Sequence, residues 1–243
     1  MKTIKLLIFT LVFSIAVVPA IAQKPGDYGT QTKESQAAIT PQQALQRLKD
    51  GNKRFVSGKL QNKPNYRNQV AIKAQGQFPY AAILSCLDSR VAVESIFDLN
   101  NGDSFNGRVA GNVMNPDMLG SFEFATKLAG AKVVMVLGHS KCGAVMGACD
   151  RAEMGNLTGL LDRIEPAVDL ISANWRDGEK NSKNSKFVEA VGRKNVELVM
   201  ANIKKESPIL KEMIEKGQII LVGGIYDLET GKVEFIGLAG KHL

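Results

Sequence analysis

Two segments, YAAILSCLDSR at residues 80–90 and KVVMVLGHSKCG at residues 132–143, decide how this chain folds. Each is a short, mostly apolar run that stops at a cluster of reactive polar side chains. A run of that length without polar alternation predicts a strand covered on both faces, as in a parallel sheet. Working outward, the same reading gives buried strands at Tyr80 to Ser85, Ser104 to Ala110, Lys132 to Leu137 and Gln218 to Val222. Helical spacing appears over Met118 to Leu128, Gly143 to Met154, Leu157 to Ala173, Phe187 to Lys205 and Ile209 to Lys216, and Pro166 is expected to kink or split the third. Thr40 before Pro41 reads as a helix N-cap, opening about four turns that carry Leu45, Leu48 and Phe55. Tyr226 to Gly231 ahead of Lys232 to Ile236 signals a hairpin with an antiparallel edge. Strand and helix alternate, so the expected fold is a single α/β domain: a mostly parallel sheet with an antiparallel edge strand and helices on both faces. Neither an internal repeat nor a linker to a second domain interrupts it.

The flanks read differently. Lys2 and Lys5 precede an apolar run from Leu6 to Val18, and Ala20-Ile21-Ala22 offers small residues for cleavage, so residues 1–22 are expected to be a secretory signal peptide. The run is short for a membrane span of about 20 residues. Secretion or a periplasmic location follows, with no stable membrane span after cleavage. Residues 23–39 are polar and lack sustained periodicity, which predicts a tether or an arm, and the ordered domain is expected to run over 40–243.

Composition narrows the function. With 44% hydrophobic and 23% charged residues in a chain of 243, a disordered or fibrous protein is excluded, and three cysteines are too few for a disulfide-stapled scaffold. The net charge of +7 raises nucleic acid as a partner. Lys180, Lys183 and Lys186 alternate with Asn and Ser, however, and no aromatic residues accompany them or Lys204 and Lys205, so a solvated basic surface is the better reading.

Chemistry concentrates at the two strand ends already quoted. Cys86, Asp88 and Arg90 alternate directly after one strand, and His139 and Cys142 stand three apart after the other. Ligands of open α/β sheets gather beyond the carboxyl ends of strands, so both groups belong to one crevice. Cys86, His139 and Cys142 form a plausible Zn²⁺ ligand set, leaving one tetrahedral position free, as a catalytic zinc site requires. An alternative is a Cys86–Cys142 disulfide with Cys149 free. Gly138 and Gly143 have the spacing of a phosphate loop, but Ala144 replaces the lysine such a loop needs. Cys149 lies about 10 Å further along the helix axis and reads as a small buried residue.

Cys86-x-Asp88-Ser89-Arg90, followed by His139-x-x-Cys142-Gly143, resembles the paired signature of the β-class carbonic anhydrases, and Arg108-Val109-Ala110-Gly111-Asn112 is similar to that family's R-N-A-G segment. The resemblance spans Thr40 to Ile236. It implies a secreted zinc enzyme that interconverts CO₂ and bicarbonate through zinc-bound hydroxide. Asp88 then acts as proton acceptor, with Arg90 holding it ionised and aimed. Asp88 is also a possible fourth zinc ligand in a closed state, released when Arg90 captures it. By resemblance, Gln77 and the Gly143 N–H donate to substrate, and Phe105 and Ala110 line an apolar wall. Gln77 and the wall residues would come from a neighbouring subunit, implying a homodimer or a multiple of dimers. Val109, Phe124 and Ile83 depart from residues common in the family; Ile83 replaces a tryptophan tied to a regulatory bicarbonate site, so no such site is expected even though Arg108 and Tyr226 are present. Rival readings keep the zinc but act on carbon disulfide or carbonyl sulfide, or make the chain a non-catalytic zinc or redox-binding protein.

Overall fold

The computed structural model describes residues 31–61, 63 and 66–237. The signal peptide read at 1–22, the first part of the arm and His242 lie outside the described residues. In chain order the elements are α1 (Lys33–Ala38), α2 (Pro41–Val56), α3 (Tyr66–Lys73), β1 (Ala81–Ser85), α4 (Val93–Ile96), β2 (Ser104–Arg108), α5 (Pro116–Glu123), β3 (Val133–His139), α6 (Gly143–Cys149), α7 (Gly155–Leu161), α8 (Glu165–Asn174), α9 (Ser185–Glu206), α10 (Pro208–Glu215), β4 (Ile220–Tyr226) and β5 (Val233–Ile236). The strands form one five-stranded sheet in the order β2-β1-β3-β4-β5. Every pairing is parallel except β4 with β5, so the expected mostly parallel sheet with an antiparallel edge is what the chain adopts.

Burial explains the strand sequences. Every residue of β1 and β3 is buried, which is why both read as continuous apolar runs. On one face Leu48 of α2 and Ile96 of α4 pack against Ile83, Met135 and Leu137. On the other, Val196, Met200 and Ile203 of α9 and Leu210 of α10 cover Leu84, Val134 and Val136. Each such side chain contributes about 1.5–3 kcal/mol relative to exposure.

Three expectations are corrected. Ser104–Arg108 is an edge strand, half-buried rather than buried, because its outer side has no neighbour among the described residues. The arm does not stay irregular to residue 39: Thr32 and Ser35 form a reciprocal capping box that starts α1, and Gln36 donates to the carbonyls of Pro79 (2.6 Å) and Ala129 (2.7 Å). Finally, β4 begins at Ile220 and continues past Val222 to Tyr226. Its glycines are there for closeness: a Cβ on Gly223 would stand 2.7 Å from Val196 Cγ1. Pro166, as expected, splits the third helical stretch by sitting in the first turn of α8.

Candidate metal centre

Cys86 follows β1 directly and His139 closes β3. The two strands are adjacent and parallel, so both residues reach the same end of the sheet. From β1 the chain moves out to β2 on one side and returns to β3 on the other, and a crevice opens at such a reversal. Lys141 takes a left-handed conformation (φ 54°), turning the chain so that Cys142 becomes the N-cap of α6. The ligand atoms of Cys86, His139 and Cys142 consequently all lie within 4.8 Å of one another, and all three residues are buried.

The donor set fits a zinc ion. The two sulfurs stand 3.8 Å apart, and tetrahedral metal–sulfur bonds of about 2.3 Å require a separation of about 3.8 Å. They are not bridged; all three cysteines are free thiols. His139 Nδ1 lies 2.9 Å from the Ser140 carbonyl oxygen, so its proton is assigned there. That tautomer leaves Nε2 with a lone pair, and this atom is buried without a hydrogen-bond partner. A buried acceptor of this kind, beside two sulfurs, is what a cation would satisfy.

Two backbone N–H groups, from Asp88 (3.4 Å) and Gly111 (3.3 Å), point at Cys86 Sγ. The thiol is pulled down to about 4, chiefly by its contact with Cys142 and against the effect of burial, with these two N–H groups adding to the lowering. The same sulfur contact, together with burial, pushes the Cys142 thiol up. Both sulfurs would bind a divalent cation as thiolates, so their protons would be released on binding.

Asp88 and Arg90 stand beside this cluster. Arg90 Nε donates to Asp88 Oδ1 (2.9 Å), Nη2 to Oδ2 (2.7 Å), and the Arg90 backbone N–H to Oδ1 (2.9 Å). These bonds hold the carboxyl far below its usual range. Asp88 Oδ2 lies 3.8 Å from His139 Nε2, near the ligand set but outside it. Asp88 is held by Arg90 through both carboxylate oxygens.

The remaining candidates are spread over the chain. Ala110 opens the short turn whose Gly111 N–H bonds Cys86, and Gly143 is the exposed first residue of α6. Phe105 sits in mid-β2 opposite Ala82, edge-on to Phe124 with ring centroids 6.0 Å apart, and so is not brought to the cluster within one chain. Gln77 is exposed ahead of β1, whereas Cys86 follows it, and a five-residue strand of about 17 Å separates them. Cys149 is buried and lies outside the ligand group, its thiol pushed up to about 11 by burial.

One structural role had no sequence signal. Arg108 donates to the carbonyls of Cys86 (3.2 Å), Leu87 (3.1 Å) and Asp88 (2.5 Å), strapping down the segment that carries ligand and dyad. Only the β1–β2 register, which sets Arg108 beside Ser85, reveals it.

A family model described as carbonic anhydrase matches residues 81–233. Carbonic anhydrase 2 of Mycobacterium tuberculosis is 35% identical over 211 residues, covering 84% of this chain and 98% of that protein. Among solved structures, the β-carbonic anhydrase CafA of Aspergillus fumigatus is 27% identical, covering 73% of this chain and 84% of its own, with a TM-score of 0.63. The fold is also that of the tetrameric β-carbonic anhydrases of Sordaria macrospora, at 23% identity, TM-score 0.62, and coverage of 69% of this chain and 85% of theirs.

Proposed function

This chain belongs to the β-class carbonic anhydrases, and on that premise we propose that Cys86, His139 and Cys142 hold one Zn²⁺ at which CO₂ and bicarbonate are interconverted. The observation that carries the reading is the buried, partnerless His139 Nε2 beside two sulfurs spaced for a tetrahedral ion. When bound, zinc supplies a Lewis acid that acidifies a coordinated water enough for it to attack CO₂ near neutral pH. Two thiolates offset the charge of the cation, so that acidification is weaker than at a site of neutral ligands, and a nearby proton acceptor matters more.

Asp88 is that acceptor. Its carboxylate stays ionised because Arg90 grips both oxygens, and it faces the ligand cluster from 3.8 Å. Arg90 thus acts as a positioning residue, while Arg108 keeps the Cys86–Asp88 backbone in place. The Gly143 N–H at the start of α6 is proposed to donate to a substrate oxygen. Gln77 and the apolar wall of Phe105 are proposed to serve the cluster of a second copy, since the length of β1 keeps Gln77 from its own. This supports a homodimer or a multiple of it, in keeping with the tetrameric relatives of like fold.

We also propose export, on the basic start, apolar run and small residues read as a leader at 1–22; no helix among the described residues is long and apolar enough to cross a membrane. Stopped-flow CO₂ hydration, run beside carbon disulfide and carbonyl sulfide, tests the assignment. Zinc-dependent CO₂ turnover is expected. Stoichiometric zinc without CO₂ turnover would contradict it, pointing to a sulfur substrate if one were consumed and to a binding protein if none were.

A further inference from the structure

We propose that Ser140, clamped by the β4–β5 turn, is a positioning residue that fixes the aim of His139 Nε2; the proposal rests on the zinc assignment above. Every polar group of Ser140 is engaged. Its N–H donates to the Tyr226 carbonyl at the end of β4 (2.9 Å), its hydroxyl accepts the Leu228 N–H (2.9 Å), and its carbonyl accepts the His139 Nδ1 proton (2.9 Å). The imidazole is therefore oriented by the carbonyl of a residue whose own N–H and hydroxyl are held by the neighbouring strand and its turn.

The turn is built to be rigid. Asp227 Oδ1 accepts the N–H groups of Glu229 (2.8 Å) and Thr230 (2.7 Å). On the far side Asn52 of α2, buried in the core, donates to the Gly231 carbonyl (2.9 Å) and accepts the Val233 N–H (2.9 Å). Lys141 adds an ion pair to Glu229 across the surface. Lys141 also holds a left-handed conformation (φ 54°), which costs free energy in a residue with a Cβ and persists only where neighbours over-determine it. Partners that orient a metal-ligating histidine through its second nitrogen commonly change metal affinity by 10- to 100-fold.

The experiment uses the full mature chain. Zinc loss to a competing chelator is timed for the wild type, Ser140→Ala and Ser140→Thr, and the absorption of the cobalt-substituted proteins is recorded alongside thermal unfolding. Ser140→Ala keeps the carbonyl and the N–H bond to Tyr226 but removes the hydroxyl that ties the residue to the turn, so zinc should leave about tenfold faster and the cobalt bands should move. Ser140→Thr restores the hydroxyl and should return both readings towards wild type. Wild-type zinc loss and an unmoved cobalt spectrum in Ser140→Ala would overturn the proposal, and so would equal impairment in Ser140→Thr, which would implicate packing instead of the hydroxyl. Should Ser140→Ala fail to fold, Asp227→Ala loosens the turn without touching Ser140 and should speed zinc loss about threefold, the effect of one or two modest hydrogen bonds; no change there would equally count against it. A wild type that holds no zinc would overturn the underlying assignment, whereas zinc held indifferently to Ser140 overturns this inference alone.

Discussion

Asp88 and Asp98 are both carboxylates gripped by cations, yet they serve different ends. The Asp98 side chain is 0% exposed and ion-paired to Arg54 (2.6 Å) and Lys63 (2.7 Å), and it also accepts the Gln61 N–H (3.0 Å). Those partners lie far from it in sequence, so the bonds join α2 and its following loop to the end of α4. Asp88 is 14% exposed and bonded to Arg90, two residues away and itself largely in solvent. Such a local pair adds little to the fold, and what distinguishes it is the ligand cluster its Oδ2 faces. The contrast shows that an Asp–cation pair reads as structural or chemical from what its far side meets, not from the pair itself.

The largest expected effect lies on the chemical side. Asp88→Asn should lower CO₂ hydration by 100-fold or more, the usual contribution of a positioned proton acceptor, while zinc content and melting temperature stay near wild type. Unchanged turnover would erase the distinction from Asp98. In the opposite sense, Asp98→Asn should cost about 2–3 kcal/mol in urea unfolding, somewhat below the full cost of breaking a buried pair because Arg54 and Lys63 retain some exposure, with turnover per folded molecule preserved.

The smallest effect is the pH dependence of that loss. Burial raises the Asp98 carboxyl, but Lys63, Arg54 and the Gln61 N–H more than offset it, so its pKa is lowered overall. A carboxyl lowered in the folded state stabilises above its unfolded value of about 3.9 and loses that stabilisation as pH falls further. The gap between wild type and Asp98→Asn should therefore hold near neutral pH and narrow as pH falls below about 4. Denaturant titrations at several pH values would measure it, and a gap constant with pH would mean that Asp98 acts by packing alone.

Much of this was legible in the sequence because burial leaves a compositional trace. Strands covered on both faces must be apolar, so β1 and β3 announced themselves, and the reactive residues interrupting them stood at once at a strand end. The dyad was legible for the same reason. What escaped depends on close approach and long-range register. Gly223 and Gly224 read as the end of a strand, when they let α9 and Met135 approach β4. Thr32 and Ser35 carry a capping signal, but a helix of six residues is too short for periodicity to expose. Arg108 and Ser140 work through backbone groups supplied by other elements, and nothing in their own neighbourhoods names those partners.

Metal analysis of the purified protein, wild type beside Cys142→Ala, tests the central claim most directly. One zinc per chain in the wild type and none in the variant is the predicted result. Full zinc in Cys142→Ala, or a metal-free wild type whose Cys86 and Cys142 are joined by a disulfide, would contradict it.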